Sequence, residues 1–158
     1  MKKRITFDYD EENGLMIAQL RVGGKTYFGT AAKNPGDDDP FPPSYSIGEK
    51  IAEARAYKSM YSDKIAEKKL ELKGVKRVFC AMPPGTKNRN YVEHLYLAII
   101  DEIKELEDLK RRCDKSISTA IESRGIYVRS RLMKKEQRKE VLKELGKAIK
   151  VLGQDKKD

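Results

Sequence analysis

The first thirty residues alternate between apolar and polar. Ile5, Phe7 and Tyr9 are separated by Thr6 and Asp8, the period-two pattern of a strand with one buried face. Asp10-Glu11-Glu12-Asn13-Gly14 is a short polar loop whose Asn-Gly supplies positive φ. Alternation resumes from Leu15 to Val22, with Leu15, Ile17 and Gln19 on one side and Met16, Ala18 and Leu20 on the other. Gly23-Gly24 signals a tight hairpin, and Lys25 to Thr30 makes a third strand. Loops this short cannot carry a parallel crossover, so the pattern predicts a three-stranded antiparallel meander.

Residues 33–46 break the alternation. Four prolines and Asp37-Asp38-Asp39 mark a loop, and the triplet lacks the spaced oxygens and distal Glu of an EF-hand. The period then becomes helical. Ser46 with Glu49 fits a capping box, and Ile47, Ile51, Ala54, Lys58, Tyr61, Ile65 and Leu72 recur at steps compatible with one helix face. This predicts a first helix from Ile47 to Leu72, ended or interrupted by Gly74. Val75 to Met82 reads as a short β-tolerant segment stopped by Pro83-Pro84-Gly85. A second helix is expected from Asn90, which would cap it. Its seam of Val92, Leu95, Ile99, Ile103, Leu106, Leu109 and Cys113 continues through Ile117 and Ile121 towards Gly125. Running to Arg124, it would be ~52 Å long, longer than a small globule, and would pack on a partner chain or on the following helix. That third helix, Tyr127 to Leu152, carries Leu132, Leu142, Leu145, Ile149 and Leu152, before a frayed tail. The predicted class is α+β: a small N-terminal antiparallel β-meander followed by long C-terminal helices, oligomeric. Residues 1–46 and 47–158 make one structural unit.

Composition narrows the function. The chain has 158 residues, 37% of them charged, which suits one domain or a small lobe with an extended one. No run approaches the ~18 apolar residues that span a bilayer, and Met1 to Phe7 has no apolar stretch behind its basic residues. A cytosolic protein is expected. Cys80, Cys113 and the single His94 cannot make a structural zinc set, so reduced and mostly buried thiols are expected. The net charge of +9 is segregated: residues 1–46 carry six Lys/Arg against seven Asp/Glu, and the rest 28 against 18. The basic excess peaks over Ser123–Lys139, where Arg124, Arg129, Arg131, Lys134, Lys135, Arg138 and Lys139 meet only Glu136. Such a surface attracts anions, or else is a solvated helix face.

No catalytic constellation is legible. A phosphate-binding GxxxxGK[ST] loop, a strand-coupled GxGxxG and a GxSxG elbow are all missing. Asp101, Glu102, Glu105, Glu107 and Asp108 are spaced for surface pairing with Lys and Arg, and a lone helical His94 reads as a packed or capping residue. The stretch Phe79 to Tyr91 says more. It places aromatics, prolines and amide and guanidinium donors just before a helix start, where free N–H groups favour phosphate. Asn88 and Asn90 can read a base edge, Arg89 can clamp phosphate, and Phe79 or Tyr91 can stack a purine. The plainer alternative is that Asn90 only caps the helix and Phe79 is core.

Lys3-Arg-Ile-Thr-Phe-Asp-Tyr-Asp with its Gly-turned meander, followed by Ile51-Ala-Glu-Ala-Arg-Ala, resembles the phage Thoeris anti-defence sponge proteins. The resemblance implies an N-terminal antiparallel sheet, C-terminal helices and assembly through dimers. It also implies sequestration, without cleavage, of cyclic ADP-ribose signals, with cyclic oligonucleotides held by some members, in the host cytoplasm and with no cofactor. The implied pocket lies between protomers and uses an aromatic, an Asn about ten residues later and helical arginines. Phe79 matches the aromatic, and Asn90 or Asn88 the amide, at spacings of eleven or nine. Arg55, Arg111 and Arg112 match the arginines. A basic nucleic-acid-binding module is the alternative expectation, resting on the Ser123–Lys139 run.

Overall fold

The computed structural model describes residues 2–32 and 39–155. Strands β1 (Lys3–Asp10), β2 (Leu15–Val22) and β3 (Lys25–Ala32) form an antiparallel sheet in the order β1-β2-β3. This is the expected meander, and its turns carry positive φ at Gly14, Gly23 and Gly24. The register pairs Ile5 with Leu20, Phe7 with Ala18 and Tyr9 with Met16. Directly opposed residues share a face, so the row Met16, Ala18, Leu20 and Val22 is the buried one.

Two helices follow: α1 (Tyr45–Ala81) and α2 (Lys87–Asp155). The result is an α+β layout. α1 has two apolar sides. Ala52, Ala56 and Met60 are fully buried against β2 and β3, while Ile65 packs with Ile99 and Ile103 of α2. The small residues of Ile51-Ala-Glu-Ala-Arg-Ala let the helix backbone approach the sheet at Gly29. A Cβ added there would collide with the Ala52 carbonyl oxygen and the Ala56 amide nitrogen. Any side chain at position 29 therefore requires α1 to shift off the sheet.

Several boundaries differ from expectation. The N-cap of α1 is Ser44, whose Oγ accepts from the Ile47 amide at 3.3 Å, so no capping box forms at Ser46. α1 runs through Gly74 and through Val75–Ala81. Packing of Leu72 and Val75 beside Ile99 and Ile103 holds that stretch helical despite its β-tolerant composition. α2 begins at Lys87 rather than Asn90. The Arg89 amide donates to Thr86 Oγ1 at 3.3 Å, so Thr86 does the capping. No break occurs at Gly125, and the second and third helices are one, ~103 Å long. The preceding helix, not a following one, covers the seam of α2 around Ile99, Ile103 and Leu106, while Leu95 and Ile121 of that seam are exposed. Positions 33–38 of the Pro- and Asp-rich loop, with Asp37 and Asp38, lie outside the described residues.

Ion pairs mark the register of this hairpin. Lys68 meets Glu102 at 2.6 Å and Lys58 meets Asp114 at 2.6 Å, nearly equidistant from the turn at Gly85-Thr86. Continuing that register exhausts α1 near position 129 of α2. The remaining stretch, 130–155, extends ~39 Å further. There Met133, Leu142, Leu145, Ile149 and Leu152 are exposed.

Candidate functional site

Where α1 begins, three elements converge around a cavity of about 630 Å³. The sheet supplies Tyr9, Met16 and Ala31, α1 supplies Tyr45, Ile51 and Arg55, and α2 supplies Ile121, Arg124, Val128 and Arg129. The volume lies within the range of small-molecule sites, and the lining joins apolar floor to a few charged groups. Tyr9 and Tyr45 meet edge to face with ring centroids 4.7 Å apart.

The three arginines are held differently. Arg55 Nη1 donates to the Thr30 carbonyl at 2.7 Å, which ties the guanidinium to β3 and leaves its other N–H groups available. Arg124 is mostly buried and pairs with Asp39. Its Nε donates to Oδ2 at 2.8 Å and its Nη2 to Oδ1 at 3.2 Å, a bidentate fork. The same Nη2 donates to the Pro42 carbonyl at 2.7 Å, and the Phe41 amide donates to Asp39 Oδ1 at 3.0 Å. This clasp fixes the chain entering α1 against α2. Arg129 is exposed at the rim and has no hydrogen bond or ion pair among the described residues. Asp39 is the one carboxylate among the described lining residues, against three guanidinium groups, so the cavity is cationic.

The eight residues singled out in the sequence occupy three places within one chain. Arg55 lines the cavity. Phe79, Asn88, Arg89, Asn90 and Tyr91 gather at the hairpin tip, ~36 Å from Arg55 by the 24 residues of helix between Arg55 and Phe79. At the tip Arg89 stacks on the Phe79 ring at 4.5 Å, and its Nε is buried without a partner. Asn88, Asn90 and Tyr91 are exposed around that pair. Arg111 is exposed and paired with Asp108 on its own helix, while Arg112 lines a second cleft beside α1. One chain therefore does not bring Phe79, Asn90 and the arginines together.

Other expectations need correction. Cys80 is exposed and Cys113 only half-buried, so the thiols are not core residues, although burial and nearby Asp114 push the Cys113 thiol up. His94 is exposed rather than packed, because it faces away from the α1 contact. Sequence reasoning missed Tyr9, Tyr45 and Asp39, and it registered Arg124 and Arg129 only as part of a basic run. The one available signal was the concentration of arginine after position 123.

Compared with protein-family models, with curated proteins and with solved structures, the chain matches none. Among the described residues, no helix is long and apolar enough to cross a membrane, and no group of three or more His, Cys, Asp or Glu is placed to hold a metal ion.

Proposed function

We propose that the protein is a phage anti-defence sponge, binding a cyclic nucleotide immune signal in the host cytoplasm and withholding it uncleaved. The observation that carries this reading is the cavity at the start of α1. Arg55 and Arg129 offer guanidinium donors to phosphate, and Tyr9 and Tyr45 offer ring surface to a base. Its single described carboxylate is gripped by Arg124, an arrangement suited to holding an anion rather than activating water. The sequence resemblance to the Thoeris sponge family points the same way. Sequestration must outlast continued synthesis of the signal, which calls for a nanomolar Kd, about −12 kcal/mol.

Calorimetry with cyclic ADP-ribose isomers and with cyclic di- and trinucleotides tests the reading. At least one is expected to bind at nanomolar Kd and to be recovered intact after heat denaturation of the protein. Absence of heat from all of them, or recovery of a cleaved product, would overturn it.

The sponge reading includes self-association. The apolar side of α2 beyond position 129 recurs at Leu142, Leu145, Ile149 and Leu152, a heptad spacing that a second copy would cover. A second reading, a nucleic-acid-binding module, is favoured by the exposed basic stretch Arg129–Lys139 on the projecting part of α2. It predicts gel shifts of generic DNA or RNA that weaken steeply with salt.

A further inference from the structure

A second cleft, of about 470 Å³, opens on another side of the first turns of α1. Arg112, Ser116, Thr119 and Ser123 fall at successive four-, three- and four-residue steps and share one face of α2, with Lys115 three residues after Arg112 on its flank. Ile47 and Lys50 of α1 close the other wall. Ile47 also lines the arginine cavity, so the two sites are neighbours across the start of that helix.

Farther along the hairpin, Lys58 is answered by Asp114 and Lys68 by Glu102 across the two helices. Here no carboxylate lines the wall, and the side chains of Lys50, Arg112 and Lys115 have no hydrogen bond or ion pair among the described residues. The hydroxyls of Thr119 and Ser123 complete the polar surface, while Ser116 Oγ donates to the Arg112 carbonyl at 3.0 Å. The apolar lining is Ile47 and Ala120, with no ring on which a base could stack. Cations and hydroxyls in a row ~16 Å long recognise several phosphates in sequence rather than one.

We infer that this cleft is a site for an oligophosphate ligand, recognised by its phosphates and not by its bases. The shared chemistry could belong to a linear polyphosphate or to the phosphodiester backbone of a short single strand. The inference does not depend on what fills the arginine cavity.

Calorimetry of the full chain with inorganic tripolyphosphate, and separately with a short thymidylate oligonucleotide, distinguishes the two sources by which probe binds more tightly. The double variant R112Q/K115Q is expected to lose about tenfold or more in affinity for the tighter probe. Thr119→Leu, which fills the cleft without changing charge, is expected to weaken it similarly, with circular dichroism reporting unchanged helix in both. Lys73→Gln, an exposed lysine of α1 outside both cavities, should leave this binding in place. No heat from either probe, binding that survives both cleft variants, or equal loss on Lys73→Gln would overturn the inference.

Discussion

Arg124 and Arg129 stand five positions apart on one helix and are held in opposite ways. Arg124 spends its donors on Asp39 and on the chain leading into α1. Arg129 has none of these partners and points its charge at solvent and the cavity rim. Arg124→Ala would remove the bidentate guanidinium from the largely buried Asp39 carboxylate. A stability loss of about 1–3 kcal/mol is expected in urea titration, below the cost of breaking a fully buried pair. Arg129→Ala should leave the unfolding midpoint unchanged. In the sponge reading it should weaken ligand binding about tenfold or more, as expected for a lost charge-assisted hydrogen bond. A variant series in which both substitutions act only on stability would sink the cavity as a binding site.

At the scale of elements, the contact of α1 with the sheet depends on small residues. Ala52 and Ala56 lie against Gly29, and the obstacle to any side chain there is helix backbone, which cannot rotate aside as a side chain would. Gly29→Ala is expected to destabilise the fold by about 1–3 kcal/mol, towards the upper end, with the thermal midpoint as readout. Farther along the same contact, the Tyr27 hydroxyl donates to Asp63 at 2.6 Å and the Lys25 ammonium donates at 3.1 Å. Both interactions hold the Asp63 carboxyl below its ordinary value, while Glu67 and Asp63 raise Lys25. A depressed carboxyl stabilises the fold fully above its unfolded titration range near pH 4, and that contribution is lost as pH falls through the lower folded value. Asp63→Asn should therefore flatten part of the acid limb of a stability-versus-pH curve below about pH 4. Unchanged curvature in the variant would show that the cluster contributes nothing to folding.

The whole molecule is lopsided. α1 lies between the sheet and α2 over its first half, and α2 outruns it by the stretch 130–155. An isolated helix with Leu142, Leu145, Ile149 and Leu152 exposed gains little in water from its own propensity. Light scattering after size exclusion is expected to report more than one chain per particle. Leu145→Lys with Ile149→Lys should shift the particle towards a single chain while leaving the sheet and the α1–α2 contact folded. A single-chain particle from the unaltered protein would remove the reading of this seam as self-association.

Period-two alternation with two glycine turns was enough to specify the meander, since strands this close in sequence can pair only antiparallel. The three- and four-residue spacing of apolar residues likewise specified helices, because a buried stripe must repeat with the helical turn. Helix limits were less legible. Gly74 and Gly125 each carry a propensity cost of about 1 kcal/mol, which the packing and length of the surrounding helix outweigh. The Asp39–Arg124 clasp joins positions 85 residues apart, and local periodicity carries no information about such a pairing. Arg55 was legible as a candidate, but its cavity was not, because Tyr9, Tyr45 and Arg129 become neighbours only when sheet and hairpin dock. The residue pattern determined which faces must be covered; the docking of α1 between sheet and α2 decided which charges were brought together, and so where the cationic cavity lies.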